Sequence, residues 1–286
     1  MALTRLLPLP LLSEIAGIAG AGAFYLWPRG RRAMLRNYQR VLPASSPAQR
    51  RRVARRSLGN YCRYLVEFAA APRRSPAERR EAVVDTAGLV SLDAALAKGQ
   101  GAIAVSLHFG NWDVGAAAAA ARGYPVTAVG ESFADARLDA MIVADRETLG
   151  VRLVKMERAA SALVRALRQN ELGAILIDRP LAEGGVRVRF FGEEVEVPAG
   201  PARLALRTGA AAGAVAFPRV APGRVDVVAD FQLPFEPTGE RERDVQALTQ
   251  AIMSANEAFV RAYPDQWYMF REFWRPRAEP GTSREC

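Results

Sequence analysis

The chain has 286 residues, half of them apolar, with 39 lysines and arginines against 30 acids. This composition excludes general disorder and is sufficient for a large buried core. Its two cysteines, Cys62 and Cys286, are too few for a disulfide framework, and no CxxC pair or Cys/His cluster predicts a zinc site. Because His108 is the one histidine, any histidine-based metal site or catalytic triad must use it.

The positive charge is concentrated at the start of the chain. Residues 1–80 hold sixteen arginines, no lysine and three acids, a net charge of +13, whereas residues 81–286 carry a net charge of −4. A basic region on a mildly acidic body predicts an anionic partner, either a membrane surface or nucleic acid. The chain has no helix-turn-helix, zinc or RNA-binding signature, so we favour an anionic membrane surface and predict no nucleic-acid partner.

An apolar segment lies within this basic region. Residues 6–27 end against a cluster of arginines, and two prolines and Glu14 interrupt the apolar run. A membrane-spanning helix needs about 20 uninterrupted apolar residues. We therefore predict an interfacial segment, with Tyr25 and Trp27 near the lipid headgroups. A membrane span, a cleaved signal peptide and a buried N-terminal helix are the alternatives.

The next segment has the pattern of an amphipathic helix. Residues 47–71 place arginines at the N-terminal end and apolar residues at helical spacing, Pro72 follows, and Ser75 can cap another helix. We interpret residues 1–80 as a basic helical region for membrane association. Residues 81–277 form the predicted α/β body, on which those helices pack, and residues 278–286 a loose tail.

From residue 100 onward, short apolar runs alternate with helical stretches. The helical stretches lie near 113–122, 135–149, 157–170 and 244–263. The runs of strand length lie at 102–107, 126–129, 151–154, 174–177, 211–220 and 224–231. This alternation, with strands that are apolar almost throughout, predicts an α/β fold with a mostly parallel central sheet and helices on both faces.

His108 follows the first of these strands, and ligands of open parallel sheets bind beyond the carboxyl ends of the strands. Gly110 permits a sharp turn, Asn111 can cap the next helix, and Asp113 falls in its first turn. A carboxylate at this spacing can reach back to one ring nitrogen and leave the other to accept a proton. No serine or cysteine lies in a nucleophile elbow. We therefore expect the substrate to supply a hydroxyl that attacks an acyl thioester.

The sequence HFGNWD, which begins at His108, resembles the HX4D/E motif of the lysophospholipid acyltransferase superfamily. Other motifs resemble the branch that contains the lipid A biosynthesis acyltransferases and, more narrowly, the phosphatidylinositol mannoside acyltransferases. These motifs are DRETLG at 145–150, IDR at 177–179, FFGE at 190–193, VPAGPA at 197–202 and QWYMFR at 266–271. The resemblance runs from about residue 30 to residue 277, and the ordered series is more specific than HX4D alone.

The resemblance implies a glycerolphosphate acyltransferase-like fold on a membrane surface and a general-base mechanism, in which a sugar hydroxyl loses its proton and attacks an acyl thioester. Carried onto this chain, His108 is the base and Asp113 completes the motif. Asp178 aligns with a second acid that pairs with the histidine in the mannoside enzymes. Proline follows Arg179 where those enzymes have a further acid. The spacing leaves open whether Asp113 or Asp178 orients His108.

Substrate contacts are also predicted in and around these motifs. Arg179 is expected to stabilise the oxyanion or bind a phosphate, with a salt bridge to a neighbouring acid as the alternative. Glu131, just past the strand at 126–129, is expected to contact the acceptor sugar, with an exposed loop acid as the alternative. The predicted substrate-binding set also contains Asn111, Arg146 and Glu193.

These observations predict an acyltransferase that moves a long-chain fatty acyl group from a thioester, on CoA or a carrier protein, to a sugar hydroxyl of a glycolipid. By resemblance the acceptor is a phosphatidylinositol mannoside. We expect peripheral, monotopic attachment at the cytoplasmic face of the cell membrane, and neither a metal nor a dissociable cofactor. The alternatives are transfer to a lipid A precursor, hydrolysis of an acyl thioester, and a non-catalytic protein that binds anionic lipid.

Overall fold

The structure is a computed structural model, and it describes residues 7–179 and 185–274. Its helices are α1 (Leu9–Leu26), α2 (Pro28–Val41), α3 (Pro47–Ala70), α4 (Pro76–Arg80), α5 (Ala87–Leu96), α6 (Trp112–Ala121), α7 (Ala136–Thr148), α8 (Ala159–Arg168), α9 (Gly200–Thr208) and α10 (Arg241–Ala262). Its strands are β1 (Ala102–Ser106), β2 (Val126–Gly130), β3 (Val151–Lys155), β4 (Leu172–Leu176), β5 (Gly185–Phe190), β6 (Glu193–Pro198), β7 (Ala211–Ala216), β8 (Arg219–Ala221), β9 (Arg224–Val225) and β10 (Val228–Asp230). The predicted tail, residues 278–286, lies outside the described residues.

The central sheet of the described chain has the strand order β10-β7-β1-β4-β2-β3. Strands β7, β1, β4, β2 and β3 run parallel, and β10 pairs antiparallel with β7 at one edge. Helices α5, α6 and α7 pack on one face of the sheet, and α8, α9 and α10 pack on the other. The α/β fold with a mostly parallel sheet is therefore confirmed.

Strand β1 explains why this sheet is buried on both faces. Ile103 and Val105 contact the core beneath α8, α9 and α10, whereas Ala102 and Ala104 belong to the core beneath α5, α6 and α7. All five residues of the strand are buried. A strand covered on both faces has no polar side, and this is why it reads as a continuous apolar run.

The later strands are shorter than the sequence predicts. The run at 211–220 is divided into β7 and β8, and the run at 224–231 into β9 and β10. Pro218 lies at the first break, where proline removes a ladder N–H donor. After this break the chain leaves the central sheet to form the small β8–β9 ribbon. The prediction of two long strands is wrong in this respect.

Helix α1 is the apolar N-terminal segment. Its prolines do not interrupt it, because Pro8 is the N-cap and Pro10 lies in the first turn, where no intrahelical N–H donor is lost. By length and composition α1 could cross a membrane, and 28% of it is buried in the protein. Glu14 forms an ion pair with Arg63 of α3 at 3.0 Å.

Helix α1 packs closely on α3. A Cβ atom at Gly59 of α3 would lie 2.8 Å from the carbonyl oxygen of Gly17, so the two backbones approach more closely than a larger side chain allows. The opposite side of α1 exposes an apolar stripe at roughly three- and four-residue spacing, formed by Leu11, Ile15, Ile18, Tyr25 and Leu26. One face of α1 therefore belongs to the protein core and the other faces outward.

Candidate active site

A sharp turn places His108 at the carboxyl end of β1. Gly110 has a φ of +62°, and a Cβ atom there would lie 1.9 Å from the carbonyl oxygen of Phe217. Only glycine fits this combination of backbone conformation and close approach. Asn111 then caps α6, because its Oδ1 accepts a hydrogen bond from the N–H of Val114 at 3.1 Å. The local turn chemistry predicted for this motif is therefore present.

His108 is paired with Asp178. The Nδ1 atom of His108 lies 2.6 Å from Oδ1 of Asp178, and the backbone N–H of His108 donates to Oδ2 of Asp178 at 2.9 Å. The two residues meet because β1 and β4 are neighbouring parallel strands. Ser106 and Leu176, the last residues of these strands, lie opposite each other, and His108 and Asp178 each follow two residues later. With Asp178 ionised, Nδ1 carries the proton and Nε2 has a free lone pair.

The surroundings of Asp178 hold it in the ionised form. Burial by itself raises the pKa of Asp178, but the His108 ring, the His108 backbone N–H and the Trp267 indole together hold the pKa below its usual value. The Trp267 indole N–H donates to Oδ2 at 3.0 Å, and Asp178 is fully buried. The side chain of His108 is 13% exposed and reaches a cavity, whereas its carboxylate partner is withdrawn from solvent.

Asp113 has different partners. Its carboxylate accepts hydrogen bonds from Nε and Nη2 of Arg146 at 2.8 and 3.2 Å and from the hydroxyl of Tyr64 at 2.7 Å. Burial lowers the pKa of Arg146, but the carboxylate of Asp113 more than offsets this and raises it. The carboxylate bonded to His108 is thus that of Asp178, and Asp113 instead fixes Arg146, which lines the same cavity.

The cavity beside His108 has a volume of about 710 Å³, within the range of ligand-binding pockets. Its wall is largely apolar, with side chains from α3, the loop before α7, α7, α8 and α9. Representative members are Tyr61, Phe68, Phe133, Ile142, Leu163 and Leu204. The cavity therefore combines an acid–base pair with a surface suited to an acyl chain.

The remaining predicted site residues divide into two groups. Arg179 and Glu131 line the cavity and form an ion pair with each other at 2.6 Å, the arrangement given above as the alternative for Arg179. Asn111 is buried behind the turn and does not line the cavity. Glu193 is an exposed residue at the start of β6, and the structure does not bring it to the cavity. The adjacent turn joins β5 and β6 in an antiparallel hairpin, with Phe191 and Gly192 at positive φ.

A buried polar network behind the turn was missed by sequence reasoning. Glu67 of α3 accepts hydrogen bonds from Ser13 of α1 at 2.9 Å, Asn111 at 2.9 Å and Arg219 at 2.7 Å. Its side chain is fully buried, and that of Arg219 is 13% exposed. One signal was available, because Glu67 is one of only three acids among residues 1–80 and is the one charged residue in the run 64–70.

Tyr64 was also missed, although it is part of an aromatic wall. Its ring lies 4.2 Å from that of Trp112 and stacks on Tyr61 at 5.6 Å. Burial, followed by the charge of Asp113, raises the pKa of Tyr64 well above its usual value, so the hydroxyl remains a donor.

Among the described residues, no group of three or more His, Cys, Asp or Glu side chains could hold a metal ion.

Comparison with known proteins gives a consistent result. Residues 1–276 match the family described as bacterial lipid A biosynthesis acyltransferase. The chain is 33% identical over 266 residues to the phosphatidylinositol mannoside acyltransferase of Mycolicibacterium smegmatis, which covers 90% of this chain and 84% of that protein. It is 32% identical over 261 residues to the phosphatidylinositol mannoside acyltransferase of Mycobacterium tuberculosis, which covers 88% of this chain and 80% of that protein.

Proposed function

Because this chain belongs to the bacterial lipid A biosynthesis acyltransferase family and is an acyltransferase, we propose that it transfers a long-chain fatty acyl group to a sugar hydroxyl of a phosphatidylinositol mannoside. The donor is an acyl thioester and His108 is the general base. One observation carries the proposal, namely the His108–Asp178 pair beside a largely apolar cavity of about 710 Å³. The names of the two mycobacterial relatives favour this acceptor over a lipid A precursor.

In the proposed reaction, Nε2 of His108 removes the proton of the acceptor hydroxyl while Asp178 stabilises the imidazolium that forms. The hydroxyl oxygen attacks the thioester carbonyl, and a new C–O bond gives a tetrahedral oxyanion. Collapse of this intermediate breaks the C–S bond, and His108 returns the proton to the departing thiolate. The products are an ester and a free thiol, so the step consumes no other reactant.

The negative charge of the intermediate needs positive charge nearby. Arg146 and Arg179 line the same cavity as His108, and each is held by a carboxylate, Arg146 by Asp113 and Arg179 by Glu131. Because the two guanidinium groups are already held in place, little free energy is spent on reorienting them when the oxyanion forms. This is electrostatic preorganisation. We assign Asp113 the role of a positioning residue for Arg146.

The acceptor is a membrane lipid, and α1 provides a surface for it. Besides the outward stripe of α1, an aromatic path connects the end of this helix to the cavity wall. Trp27 lies 6.1 Å from Phe270, and Phe270 lies 5.1 Å from Tyr61, which lines the cavity. Monotopic attachment through α1 at the cytoplasmic face would place this aromatic path, and with it the wall of the cavity, beside the lipid headgroups.

The catalytic part of the proposal is tested with His108→Ala in the full-length protein, a fatty acyl-CoA and a phosphatidylinositol mannoside acceptor. Loss of a general base lowers the rate by about 10²–10⁴-fold. Thermal unfolding of the variant and the parent serves as the control for folding. Undiminished transfer by the variant would contradict the role of His108. Release of free fatty acid without acylated lipid would instead identify a hydrolase.

The membrane part of the proposal is tested by vesicle flotation of Ile18→Lys. Ile18 is 71% exposed on α1, and the chain offers a matched control in Val90 of α5, which is also 71% exposed. Moving an exposed isoleucine side chain from water into an apolar environment is favourable by about 1.5–3 kcal/mol. We expect Ile18→Lys to reduce binding to anionic vesicles by about tenfold or more and Val90→Lys to leave it nearly unchanged. Equal behaviour of the two variants would remove α1 from the membrane face.

A further inference from the structure

The turn that presents His108 is held from behind by a buried carboxylate. Oε2 of Glu67 in α3 accepts a hydrogen bond from the side-chain amide of Asn111 at 2.9 Å. The Oδ1 atom of the same amide accepts the N–H of Val114 in the first turn of α6. Asn111 thus uses both ends of its amide, one to cap the helix and one to bind Glu67. A rotated amide would lose both bonds, so this side chain has one orientation.

The other oxygen of Glu67 connects the turn to helix α1. Oε1 accepts the hydroxyl of Ser13 at 2.9 Å and Nε of Arg219 at 2.7 Å. Nη2 of Arg219 also donates to the hydroxyl oxygen of Ser13 at 3.0 Å, which closes a triangle of three side chains. Ser13 is fully buried although α1 is an apolar helix. A displacement of α1 would therefore remove donors from the carboxylate that holds Asn111.

Arg219 reaches the same turn by a second route. Its backbone N–H donates to Oε1 of Gln266 at 2.7 Å, and Nε2 of Gln266 donates to its carbonyl oxygen at 3.0 Å. The carbonyl oxygen of Gln266 accepts the N–H of Gly110 at 2.9 Å. Two residues further on, the N–H of Tyr268 donates to the carbonyl oxygen of His108 at 2.8 Å. Both partners of the buried ion pair are therefore bonded, directly or through one residue, to the turn that carries the histidine.

Stability alone does not explain this ion pair. The side chain of Glu67 is fully buried and that of Arg219 is 13% exposed. Well-packed apolar side chains are often as stable as a buried ion pair, whose best-attested use is to fix one arrangement among several. The described wall of the cavity does not include Ser13, Glu67 or Arg219. We therefore expect the pair to act on the reaction through the position of His108 rather than through contact with a substrate.

We propose that Glu67 is a positioning residue for His108 and that, through Ser13, it makes the geometry of the catalytic turn depend on the seating of α1 on α3. The kinetic consequence of this inference rests on the proposed function, whereas the position of the ring is measurable without a substrate. A displacement of about 1 Å at a catalytic group can lower the rate by about a hundredfold. Because α1 is also the helix proposed to meet the membrane, its displacement from α3 would reach the His108 turn.

The first test is Glu67→Gln, which keeps the shape of the side chain and one acceptor oxygen. That oxygen can still accept Ser13 and Arg219, but the introduced NH2 then faces the NH2 of Asn111. Because two donors oppose each other, Asn111 must give up either this contact or the cap of α6. We expect kcat to fall about ten- to a hundredfold, while the KM values for thioester and glycolipid stay within about twofold of the parent.

A second substitution should rescue this variant. In Glu67→Gln/Asn111→Asp the introduced carboxylate can accept the introduced amide and still cap α6, because aspartate is a good N-cap residue. We expect kcat to return to within about fivefold of the parent. Asn111→Asp alone places two carboxylates against each other and should be impaired. Recovery in the double variant is the result that loss of a buried charge by itself would not produce.

The link to α1 is tested separately with Ser13→Ala. This variant keeps the carboxylate of Glu67 and removes one donor from α1, so we expect kcat to fall about three- to tenfold. It also decides the question if Glu67→Gln fails to fold. Ser91→Ala is the matched control, because Ser91 is a serine of α5 whose hydroxyl oxygen accepts the N–H of Phe231 at 3.0 Å. Its kcat should equal that of the parent.

The imidazole of His108 provides a readout that needs no substrate. Because this is the one histidine of the chain, its ring gives a single set of NMR signals. The Nδ1 proton lies in the 2.6 Å contact with Asp178. In folded Glu67→Gln and Ser13→Ala we expect this proton to exchange with water at least about tenfold faster than in the parent. Exchange in Glu67→Gln/Asn111→Asp should return toward the parental rate.

The outcomes separate the inference from the proposed function. Parental kcat and proton exchange in Glu67→Gln would overturn the positioning role, and the same result in Ser13→Ala would overturn the dependence on α1. A fall in kcat that only follows the loss of folded protein, with unchanged ring signals, would identify a merely structural role and also overturn the inference. Altered exchange with rescue, in a protein that transfers no acyl group, would support the positioning role and contradict the proposed function.

Discussion

Replacing Asp178 by asparagine is expected to change the tautomer of His108 while the fold is retained. Oδ2 of Asp178 accepts two hydrogen bonds, from the His108 backbone N–H at 2.9 Å and from the Trp267 indole N–H at 3.0 Å. In the variant the amide oxygen must take this position, because both groups are donors. The amide NH2 then faces Nδ1 of His108, which must become an acceptor. The proton therefore moves to Nε2, the nitrogen that the proposed mechanism needs as a base.

The expected loss of catalytic rate follows from the role of Nε2 of His108 as the general base. General-base catalysis contributes about 10²–10⁴-fold in rate, which corresponds to about 3–5 kcal/mol of activation free energy. The assay is kcat at saturating donor and acceptor, together with the ¹⁵N chemical shifts of the imidazole, which distinguish the two tautomers. A folded Asp178→Asn protein should have low kcat and a protonated Nε2.

Asp113→Asn is the matched control for this experiment. Asp113 bonds Arg146 and Tyr64, so its replacement should leave the tautomer of His108 unchanged, whatever its effect on rate. An Asp178→Asn protein whose kcat stays within a fewfold of the parent, or whose Nδ1 still carries the proton, would refute the reasoning. The same conclusion would follow if Asp113→Asn shifted the tautomer and Asp178→Asn did not.

Two further predictions concern stability. Glu67→Ala leaves the nearly buried Arg219 without its carboxylate, and loss of one partner of a buried ion pair costs about 3–5 kcal/mol. Urea unfolding should detect this loss, whereas the exposed Glu81→Ala should change little, and a loss below about 1 kcal/mol for Glu67→Ala would contradict the importance of the network. The second prediction concerns acid. Folding lowers the pKa of Asp178, so the ionised carboxylate stabilises the folded state. This contribution to the free energy of unfolding is fully present above the unfolded-state aspartate pKa of about 3.9, and it is lost as the pH falls through the lower pKa of the folded state. The difference in unfolding free energy between wild type and Asp178→Asn should therefore shrink below about pH 4, and a difference that is constant from pH 6 to pH 3 would count against it.

Much of the fold could be predicted from local patterns. The apolar run before His108, the glycine turn at Gly110 and the cap at Asn111 depend on residues close together in the chain, and all three are present as expected. The strand boundaries after residue 211 could not be predicted as well. Apolar residues continue through Phe217, so hydropathy carries no signal of the break that Pro218 introduces.

The partners of the two acids could not be predicted from spacing in the sequence, because they depend on long-range placement; the family resemblance alone pointed to Asp178 as a partner of His108. Asp113 is five residues from His108, yet its carboxylate bonds Arg146 of α7 and Tyr64 of α3. Asp178 is seventy residues away and bonds the ring directly. Glu67 could be singled out by its isolation among apolar residues, but its three donors come from distant parts of the chain.

The amino-acid sequence by itself determined the fold class, the turn that presents His108, and the basic N-terminal region with its apolar helix. These properties follow from hydrophobic periodicity, turn chemistry and composition, which act over short distances along the chain. Only the tertiary structure decided which acid orients the histidine. The strands occur along the chain in the order β1, β2, β3, β4, but β4 lies beside β1 in the sheet. Strand order is fixed by how the helices cross over and cover both faces, so the neighbour of His108 depends on packing rather than on spacing in the sequence.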